Sequence, residues 1–470
     1  MNRSLQKKLP WELFPTIVAL AWPTMLEQLL GTAVQYIDTA MVGSLGTHAT
    51  AAVGATTTVG WLVGSTISAL SVGFLSFIAQ ACGAGRREEA GKAASQAVVA
   101  TVLSGVGFTV MALGLSPLVP VWMQVDPAIR DLAAKYFFIL YTPMLFRAAT
   151  IIFGTLLRAA GDTRTPMKIG VWVNIINVVL NFLLIYDART LSVWGVNLWI
   201  PGAGMGVIGA AVATVTGQCA AAAVAVILNI KKNHDVHISF KAFRPDKSAI
   251  KTILAVGIPS MIMQAIGSVM TFTFNKMLIW FSSTAVAIFG IFFKLNSIVF
   301  MPVFGLNNGM VPIISYNFGA QNRKRMLKTI KYSVIYAMAI MLIGLAIIEI
   351  FPDKLLFLFN ASDNMLAIGV PALRIICMSF ALAGCSIVMS SVFQALGHGV
   401  LSMFISLIRQ LIVLLPCAFI LALIGKHNGG NVSYIWWSFD IAEIASLTTS
   451  LLFFRHIYKT VISKLPEGAD

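Results

Sequence analysis

Residues 39–85 read TAMVGSLGTHATAAVGATTTVGWLVGSTISALSVGFLSFIAQACGAG and contain no Asp, Glu, Lys or Arg. One α-helical crossing of a bilayer needs about 20 predominantly apolar residues, so this stretch is longer than one crossing requires. Similar runs recur along the 470 residues, of which 58% are hydrophobic and only 11% are charged. A water-soluble domain has a more highly charged surface than this composition allows. The sequence therefore predicts an integral membrane protein.

Charged breaks and breaks rich in Gly and Pro divide the apolar runs into twelve predicted helices. Their expected bounds are 14–42, 50–80, 92–115, 131–158, 166–186, 204–230, 248–281, 284–316, 327–351, 364–395, 400–424 and 433–457. Because twelve is even, both chain ends are expected on the same side of the bilayer. The expected fold class is an all-α membrane protein.

The distribution of Lys and Arg predicts which side this is, since short cytoplasmic loops carry the positive excess. Basic residues are concentrated in the N-terminal segment, in every second loop and in the C-terminal tail, whereas the opposite loops hold only Arg130, Arg189, Lys354 and Lys426. Both termini are therefore expected in the cytoplasm. We expect the protein to lie in the cell (inner) membrane of a bacterium. The net charge of +15 reflects this topology and does not indicate a nucleic-acid partner.

The two halves of the chain repeat one another at a constant offset of 236 positions. The offset matches three distant blocks without a gap, and the matches include Pro23 with Pro259, Gln28 with Gln264, Gly83 with Gly319, Arg87 with Arg323 and Gly161 with Gly397. Each half then holds six helices, and both halves enter the membrane from the same side, as in transporters with parallel repeats. The alternative is that glycines and prolines coincide by chance in two helical bundles.

This repeat predicts two pseudo-symmetric six-helix bundles around a central cavity. The expected divisions are an N-lobe over residues 1–230, a cytoplasmic linker over 231–251, which is the longest hydrophilic stretch, and a C-lobe over 252–470.

Four acidic residues lie inside apolar runs: Glu27, Asp38, Asp440 and Glu443. An ionised side chain at the centre of a membrane helix costs about 2.5–3.5 kcal/mol on insertion scales, so each is a candidate functional residue. Asp38 is the strongest candidate because its repeat counterpart is Phe274, which shows that the fold does not require an acid there.

The other three acids have a structural alternative. Glu27 lies about three turns from Asp38 on the same helical face and is either a second proton or substrate carboxylate or the partner of a buried cation such as Lys294 or Arg147. Asp440 and Glu443 are one turn apart and are expected to pair with Lys276 or Arg409.

The fifth predicted helix carries Asn174, Asn177 and Asn181 on one face, because their spacings are three and four residues. Asp38, Asn177 and Asn181 are expected at a similar depth, and Thr214 of the sixth helix lies slightly deeper. A carboxylate, two amides and a hydroxyl could bind a hard monovalent cation such as Na⁺ or stabilise a proton on Asp38. The alternative is that these amides only join helices by hydrogen bonds.

Three segments of the first half carry a family resemblance: PTMLEQLLGTAVQYIDTAMVGSLG at 23–46, AQACGAGRREEAGKA at 79–93 and LRAAGDTRTPM at 157–167. They resemble the MATE (multidrug and toxic compound extrusion) family, and the resemblance extends from about Pro10 to the last helix. It implies a twelve-helix antiporter that exports organic cations and other amphipathic drugs in exchange for Na⁺ or H⁺.

The resemblance also implies roles for individual residues. Asp38 matches the family's essential first-helix aspartate, and Asn177 and Thr214 match its amino-lobe cation site. Asn181 departs from the pattern, since one branch has a second aspartate there, and the departure leaves the coupling ion open between Na⁺ and H⁺. Pro23 matches the proline at which the first helix of the family is thought to bend.

Five polar residues are candidates for the substrate cavity: Glu27, Gln35, Asn174, Gln264 and Lys294. Gln264 is the nearest polar substitute in the second half, whose seventh and tenth helices hold no carboxylate. Lys294 is either a cavity residue or half of an internal ion pair.

The predicted function is export of amphipathic or cationic small molecules by alternating access, with Na⁺ or H⁺ as coupling ion, no other cofactor and a monomeric protein. One rival is a flippase for lipid-linked precursors, which predicts extra helices or a strongly basic cavity. A second rival is a membrane enzyme, but no CxxC, HExxH, phosphate-binding GxxxxGK or catalytic-triad pattern occurs in the sequence, and no catalytic activity is expected.

Overall fold

A computed structural model of the chain describes residues 13–123, 125–193, 196–233, 238, 245–359 and 361–467. These residues form twelve long helices, named here α1 to α12. Their bounds are Leu13–Gly43, Thr47–Gly83, Arg87–Leu115, Arg130–Tyr141 with Met144–Ala159, Arg164–Leu184, Gly206–Lys232, Lys247–Leu278, Ser283–Gly319, Arg323–Ile350, Asp363–Met378 with Phe380–Ala395, Gly399–His427, and Ser433–Thr460. The two segments of α4 meet at 41° and those of α10 at 46°. α11 contains a π-helical stretch at Ile408–Leu414.

The twelve predicted helices are confirmed, and their ends differ from the predicted ends by only a few residues. By length and composition nine of the described helices could cross a membrane, or up to eleven when each bent pair counts as one span. α12 has 28 residues and completes the twelve, although Asp440 and Glu443 lower its apolar character.

A β-hairpin between α5 and α6 was not predicted. Strand β1 at Asp187–Val193 pairs antiparallel with strand β2 at Val196–Ala203. The base of the hairpin is tied to the end of α1, because the Tyr186 hydroxyl donates to the Met41 carbonyl oxygen at 3.4 Å and lies 2.8 Å from the Ser44 hydroxyl. The hairpin therefore holds the end of α1 that carries Asp38.

The first six helices form one bundle and the last six form another, and α1 packs against α8 while α2 packs against α7 and α8. We call the end of the molecule that carries the loops with Arg86 and Arg323 the basic end. There, α2 and α8 approach so closely that a Cβ atom on Gly83 would lie within clashing distance of the Tyr316 carbonyl oxygen. A Cβ atom on Gly319 would clash in the same way with the Gln80 carbonyl oxygen. Glycine is required at both positions.

The pair Gln80 and Tyr316 is separated by the same 236 positions as Gly83 and Gly319, so the contact has the pseudo-symmetry of the sequence. We call the contact formed by these four residues the seam. α1 continues it against α8, where the Thr24 hydroxyl donates to the Gly305 carbonyl oxygen at 2.6 Å. The two lobes are thus in direct contact at the basic end.

Two further predictions concern chain segments near this end. The predicted linker at 231–251 falls partly outside the described residues, because 234–237 and 239–244 are not described. α7 begins after it at Lys247, and the Asp246 carboxylate caps this helix by accepting from the Ser248 and Ala249 amides. The proposed bend at Pro23 lies inside α1, which continues through the proline as one helix.

Candidate functional site

Four polar side chains on α1, α5 and α6 form one row of hydrogen bonds. The Asn181 amide donates to Asp38 Oδ1 at 2.5 Å and to Asn177 Oδ1 at 3.2 Å. The Asn177 amide donates to Thr214 Oγ1 at 3.1 Å, and the Thr214 hydroxyl donates to the Ala210 carbonyl oxygen at 3.0 Å. We call Asp38, Asn177, Asn181 and Thr214 the amino-lobe network. The structure thus brings together all four residues of the predicted cation site.

The packing of α5 against α6 places this network. Asn177 and Asn181 lie one turn apart and are buried, with exposures of 5% and 0%, so their amides need partners inside the lobe. Gly209 lets the two helices approach, because a Cβ atom there would lie 2.5 Å from the Leu184 carbonyl oxygen. Thr214 is thereby held within hydrogen-bonding distance of α5.

The network leaves oxygen atoms available for a cation. Asn181 Oδ1 is buried and has no hydrogen-bond donor among the described residues. In the same part of the chain, no basic nitrogen lies within 4.0 Å of the Asp38 carboxylate. A carboxylate without a counter-ion, beside a free amide oxygen and a hydroxyl, supplies the ligand types that hard cations prefer. The same atoms could stabilise a proton on Asp38.

The repeat counterpart of Asp38 has a purely structural environment. Phe274 is fully buried, and its ring centroid lies 4.7 Å from that of Phe289, 5.1 Å from Phe439 and 6.0 Å from Trp436. At this depth the second lobe is filled by aromatic packing, whereas the first lobe holds a carboxylate. The two lobes therefore differ in chemistry although they share a fold.

The partner of Glu27 corrects the prediction. Both Glu27 oxygens accept from Arg158 Nη2 at 2.8 Å, so Glu27 does pair with a cation, but this cation is Arg158 and neither of the two expected examples, Lys294 and Arg147. Glu27 also faces α5, where a Cβ atom on Gly170 would lie 3.3 Å from Glu27 Cγ. The Glu27 carboxylate is therefore half-buried beside Arg158 of α4 and Gly170 of α5. Arg158 lies at the end of the predicted helix 131–158 and was not considered as a partner of Glu27.

A double-mutant cycle tests this ion pair. Arg158→Met leaves the Glu27 carboxylate uncompensated in an apolar lobe, and we expect the protein to lose about 1–3 kcal/mol of stability. Glu27→Gln added to Arg158→Met should recover most of the loss, because no charge then remains unpaired. Thermal unfolding of the purified single and double variants in detergent measures both effects. Additive losses would contradict the pairing.

In the second lobe, Arg409 of the π-helical stretch donates to Glu443 Oε1 at 3.0 Å. Of the two partners predicted for the acids of α12, Arg409 is therefore the one that Glu443 uses. The other predicted partner, Lys276, places its ammonium 5.4 Å from the centroid of the Phe272 ring. Asp440 Oδ2 is buried without a hydrogen-bond donor among the described residues.

Two of the predicted cavity residues, Gln264 and Lys294, lie on helix faces that border the space between the lobes, which we call the cleft. Gln264 lies about two turns from Gly257, which contacts Leu70 of the other lobe, and Lys294 lies about three turns from Gly305. Gln264 and Lys294 are exposed, as is Gln35 on α1. The helix spacing therefore places Gln264 and Lys294 along the cleft, farther from the basic end than the contacts at Gly257 and Gly305.

Asn174 and Tyr36 differ from what the sequence predicts. Asn174 is half-buried and makes no side-chain hydrogen bond within the described part of the chain, so it does not join the amino-lobe network. Tyr36, which the sequence did not single out, donates from its hydroxyl to the Lys294 carbonyl oxygen across the cleft at 3.1 Å. In the sequence, only its position next to the candidate residue Gln35 could have drawn attention to Tyr36.

The family model described as MatE matches this chain twice, at residues 23–183 and at residues 259–420. The chain belongs to the MatE family. The two matched segments begin 236 positions apart, which is the offset of the internal repeat. The family resemblance of the three sequence segments is thereby confirmed.

Relatives and solved structures cover nearly the whole chain of this MatE protein. It is 28% identical over 459 residues to the probable multidrug resistance protein NorM of Thermotoga maritima, covering 97% of this chain and 96% of the relative. It is 23% identical over 433 residues to the multidrug export protein MepA of Staphylococcus haemolyticus, covering 92% of this chain and 91% of the relative.

A solved structure described as the outward-facing conformation of a multidrug resistance MATE family transporter matches with a TM-score of 0.87 at 24% identity, over 96% of both chains. At this identity the likeness concerns the fold. It confirms the predicted architecture of twelve helices in two bundles, so this MatE protein is a multi-pass membrane protein.

Proposed function

We propose that this MatE protein is a secondary active efflux transporter that exports amphipathic or cationic small molecules in exchange for Na⁺ or H⁺. The coupling ion binds at Asp38, Asn177, Asn181 and Thr214. The protein works as a monomer in a bacterial cell membrane with both termini in the cytoplasm. The observation that carries the proposal is the amino-lobe network, because it combines an intramembrane carboxylate without a counter-ion and a free buried amide oxygen.

α1 supplies the connection between the cation and the lobes. Asp38 lies toward one end of this helix, while Ala21, Met25 and Thr24 near its other end contact α8. A cation on Asp38 removes the charge that holds Asn181 and so changes which position of α1 is favoured. Pro23 lies within the contact region, where the missing backbone hydrogen bond lowers the resistance of the helix to bending. A ligand shifts such an equilibrium by its differential affinity for the two states.

We infer the conformational state from the seam and the charges. The basic end is assigned to the cytoplasm by the positive-inside rule, and the lobes are in contact there, so the described arrangement corresponds to an outward-facing state. Alternating access requires the seam to open while the opposite end of the cleft closes. Each charge that crosses a potential of 100 mV supplies about 2.3 kcal/mol, or about a 50-fold concentration ratio.

The names of the relatives support the substrate class, since both relatives are described as multidrug resistance or export proteins. A flippase for lipid-linked precursors would need several cations to hold a pyrophosphate. In the described part of the cleft we place one, Lys294, and the described residues form twelve long helices.

Transport assays on the purified protein in liposomes test this function. We expect a fluorescent cationic dye, rhodamine 123, to accumulate against its gradient when either a Na⁺ gradient at equal pH or a pH gradient at equal Na⁺ is imposed. The gradient that works identifies the coupling ion. Protein-free liposomes and an ionophore that collapses the gradient are the controls. If neither gradient drives accumulation of this dye or of its carboxylate analogue rhodamine 110, the proposed function is wrong.

A further inference from the structure

Lys294 lies on the face of α8 that borders the cleft. It is about three turns from Gly305, whose missing side chain lets α8 contact Met25 of α1. At the level of Lys294 the two helices have separated enough for the Tyr36 hydroxyl to bridge to the Lys294 carbonyl oxygen at 3.1 Å. The Lys294 residue is exposed, although the helix around it is buried at Phe292 and Leu295.

The charge of Lys294 has no acidic partner in the described part of the chain. No carboxylate oxygen lies within 4.0 Å of its ammonium, and its recorded neighbour is the Phe359 ring, 5.5 Å from the ammonium to the ring centroid. A lysine within a membrane helix is costly and is retained mainly where it faces a water-filled cavity or binds a partner.

The intramembrane acids that could attract a cationic molecule are buried or half-buried, whereas Lys294 is exposed. Glu27 is neutralised by Arg158 inside the first lobe, and Glu443 by Arg409 inside the second. Asp38 accepts from Asn181 within the amino-lobe network. Asp440 lies on α12, which packs against α10 and α11. When the coupling cation neutralises Asp38, Lys294 is the described charge that remains on the cleft face.

This arrangement selects for one feature of a substrate. An amphipathic molecule with a carboxylate would place that group on the Lys294 ammonium and its aromatic body along the apolar cleft near Phe359. A molecule with positive charge alone would be repelled by Lys294, and the acids Glu27, Asp38, Asp440 and Glu443 of the described membrane helices are not exposed to compensate. We infer that the preferred substrates of the proposed efflux function are amphipathic molecules that carry an anionic group, and that Lys294 binds this group. The inference rests on the proposed function.

Two dyes that differ only in whether a carboxylate is free or esterified test the inferred role of Lys294. Rhodamine 110 has a free carboxylate, and rhodamine 123 is its methyl ester. For the wild type in liposomes under the driving cation gradient, we expect the transport efficiency for rhodamine 110 to exceed that for rhodamine 123 by about tenfold. Lys294→Gln should reduce the ratio to that expected from hydrophobicity alone, and Lys294→Arg should largely preserve it.

Lys276→Gln is the matched control, because Lys276 is also a membrane-helix lysine without a described acidic partner and its ammonium lies over the ring of the exposed Phe272. This variant should keep the wild-type ratio. Equal handling of the two dyes by the wild type, or an unchanged ratio in Lys294→Gln, would overturn the inference and leave the proposed function standing. If the proposed function itself is wrong, the result is different, because the wild type would then move neither dye under either gradient.

Discussion

Asp38→Asn is expected to abolish uphill dye export while leaving dye binding and the fold intact. The amide has nearly the shape of the carboxylate and can still accept a hydrogen bond from Asn181. It cannot take up a proton in the relevant pH range, and it binds Na⁺ far more weakly than a carboxylate does. The accumulation ratio, which the membrane potential can raise to about 50-fold per charge and 100 mV, should therefore fall to about one.

Asp440→Asn is the matched control for this prediction. It makes the same substitution at an intramembrane acid of the other lobe, whose Oδ2 is buried without a hydrogen-bond donor among the described residues. We expect it to retain gradient-driven accumulation of the dye in liposomes. If Asp38→Asn accumulates dye as the wild type does, or if Asp440→Asn alone loses accumulation, the coupling site is not in the first lobe.

Gly319→Ala is expected to shift the protein strongly toward the state in which the seam is open. The added methyl group would overlap the Gln80 carbonyl oxygen, and this oxygen belongs to a helix backbone that cannot rotate away. Overpacking of this kind costs about 1–3 kcal/mol, which corresponds to a change of about 5- to 150-fold in the equilibrium between the two states. Gly83→Ala should act in the same way, because it is the pseudo-symmetric position.

Electron–electron distance measurements between spin labels at Glu88 and Lys324, which follow the two seam glycines, monitor this equilibrium. Both positions are exposed, and we expect the distance distribution to move to longer values in Gly319→Ala. Gly107→Ala on α3 is the control, since it gains the same helix propensity and its Cβ atom would meet nothing within 4 Å. An unchanged distribution in Gly319→Ala would show that the seam is not a gate.

The helices and the amino-lobe network could be predicted because each depends on a local pattern. Apolar runs of bilayer length are interrupted by charge or by Gly and Pro, so the twelve helices follow from the sequence. The spacing of Asn177 and Asn181 places both on one face of α5. The constant offset of the repeat aligns Asp38 with Phe274, which shows that the fold does not require an acid at this position. These inferences need only helix geometry and a count of residues from each membrane surface.

The Glu27 ion pair, the seam and the β-hairpin could not be predicted, because they depend on contacts or pairings that no local sequence pattern indicates. Arg158 lies at the predicted end of α4, 131 residues from Glu27 along the chain, and only the folded lobe brings the two side chains together. Gly83 and Gly319 are conspicuous as a repeat match, but only the packed lobes show that a backbone carbonyl lies against each of them. The β-hairpin at Asp187–Ala203 was missed because its strands are short and interrupt an otherwise helical chain.

The most direct test of the central role of Asp38 reverses the usual assay. In liposomes without an imposed cation gradient, a gradient of dye alone should drive the coupling cation in the opposite direction through the wild type, which an internal pH- or Na⁺-sensitive fluorophore records. If Asp38 binds the coupling cation, the Asp38→Asn variant carries no cation under these conditions even though it still binds the dye. Cation movement at the wild-type rate in Asp38→Asn would contradict it.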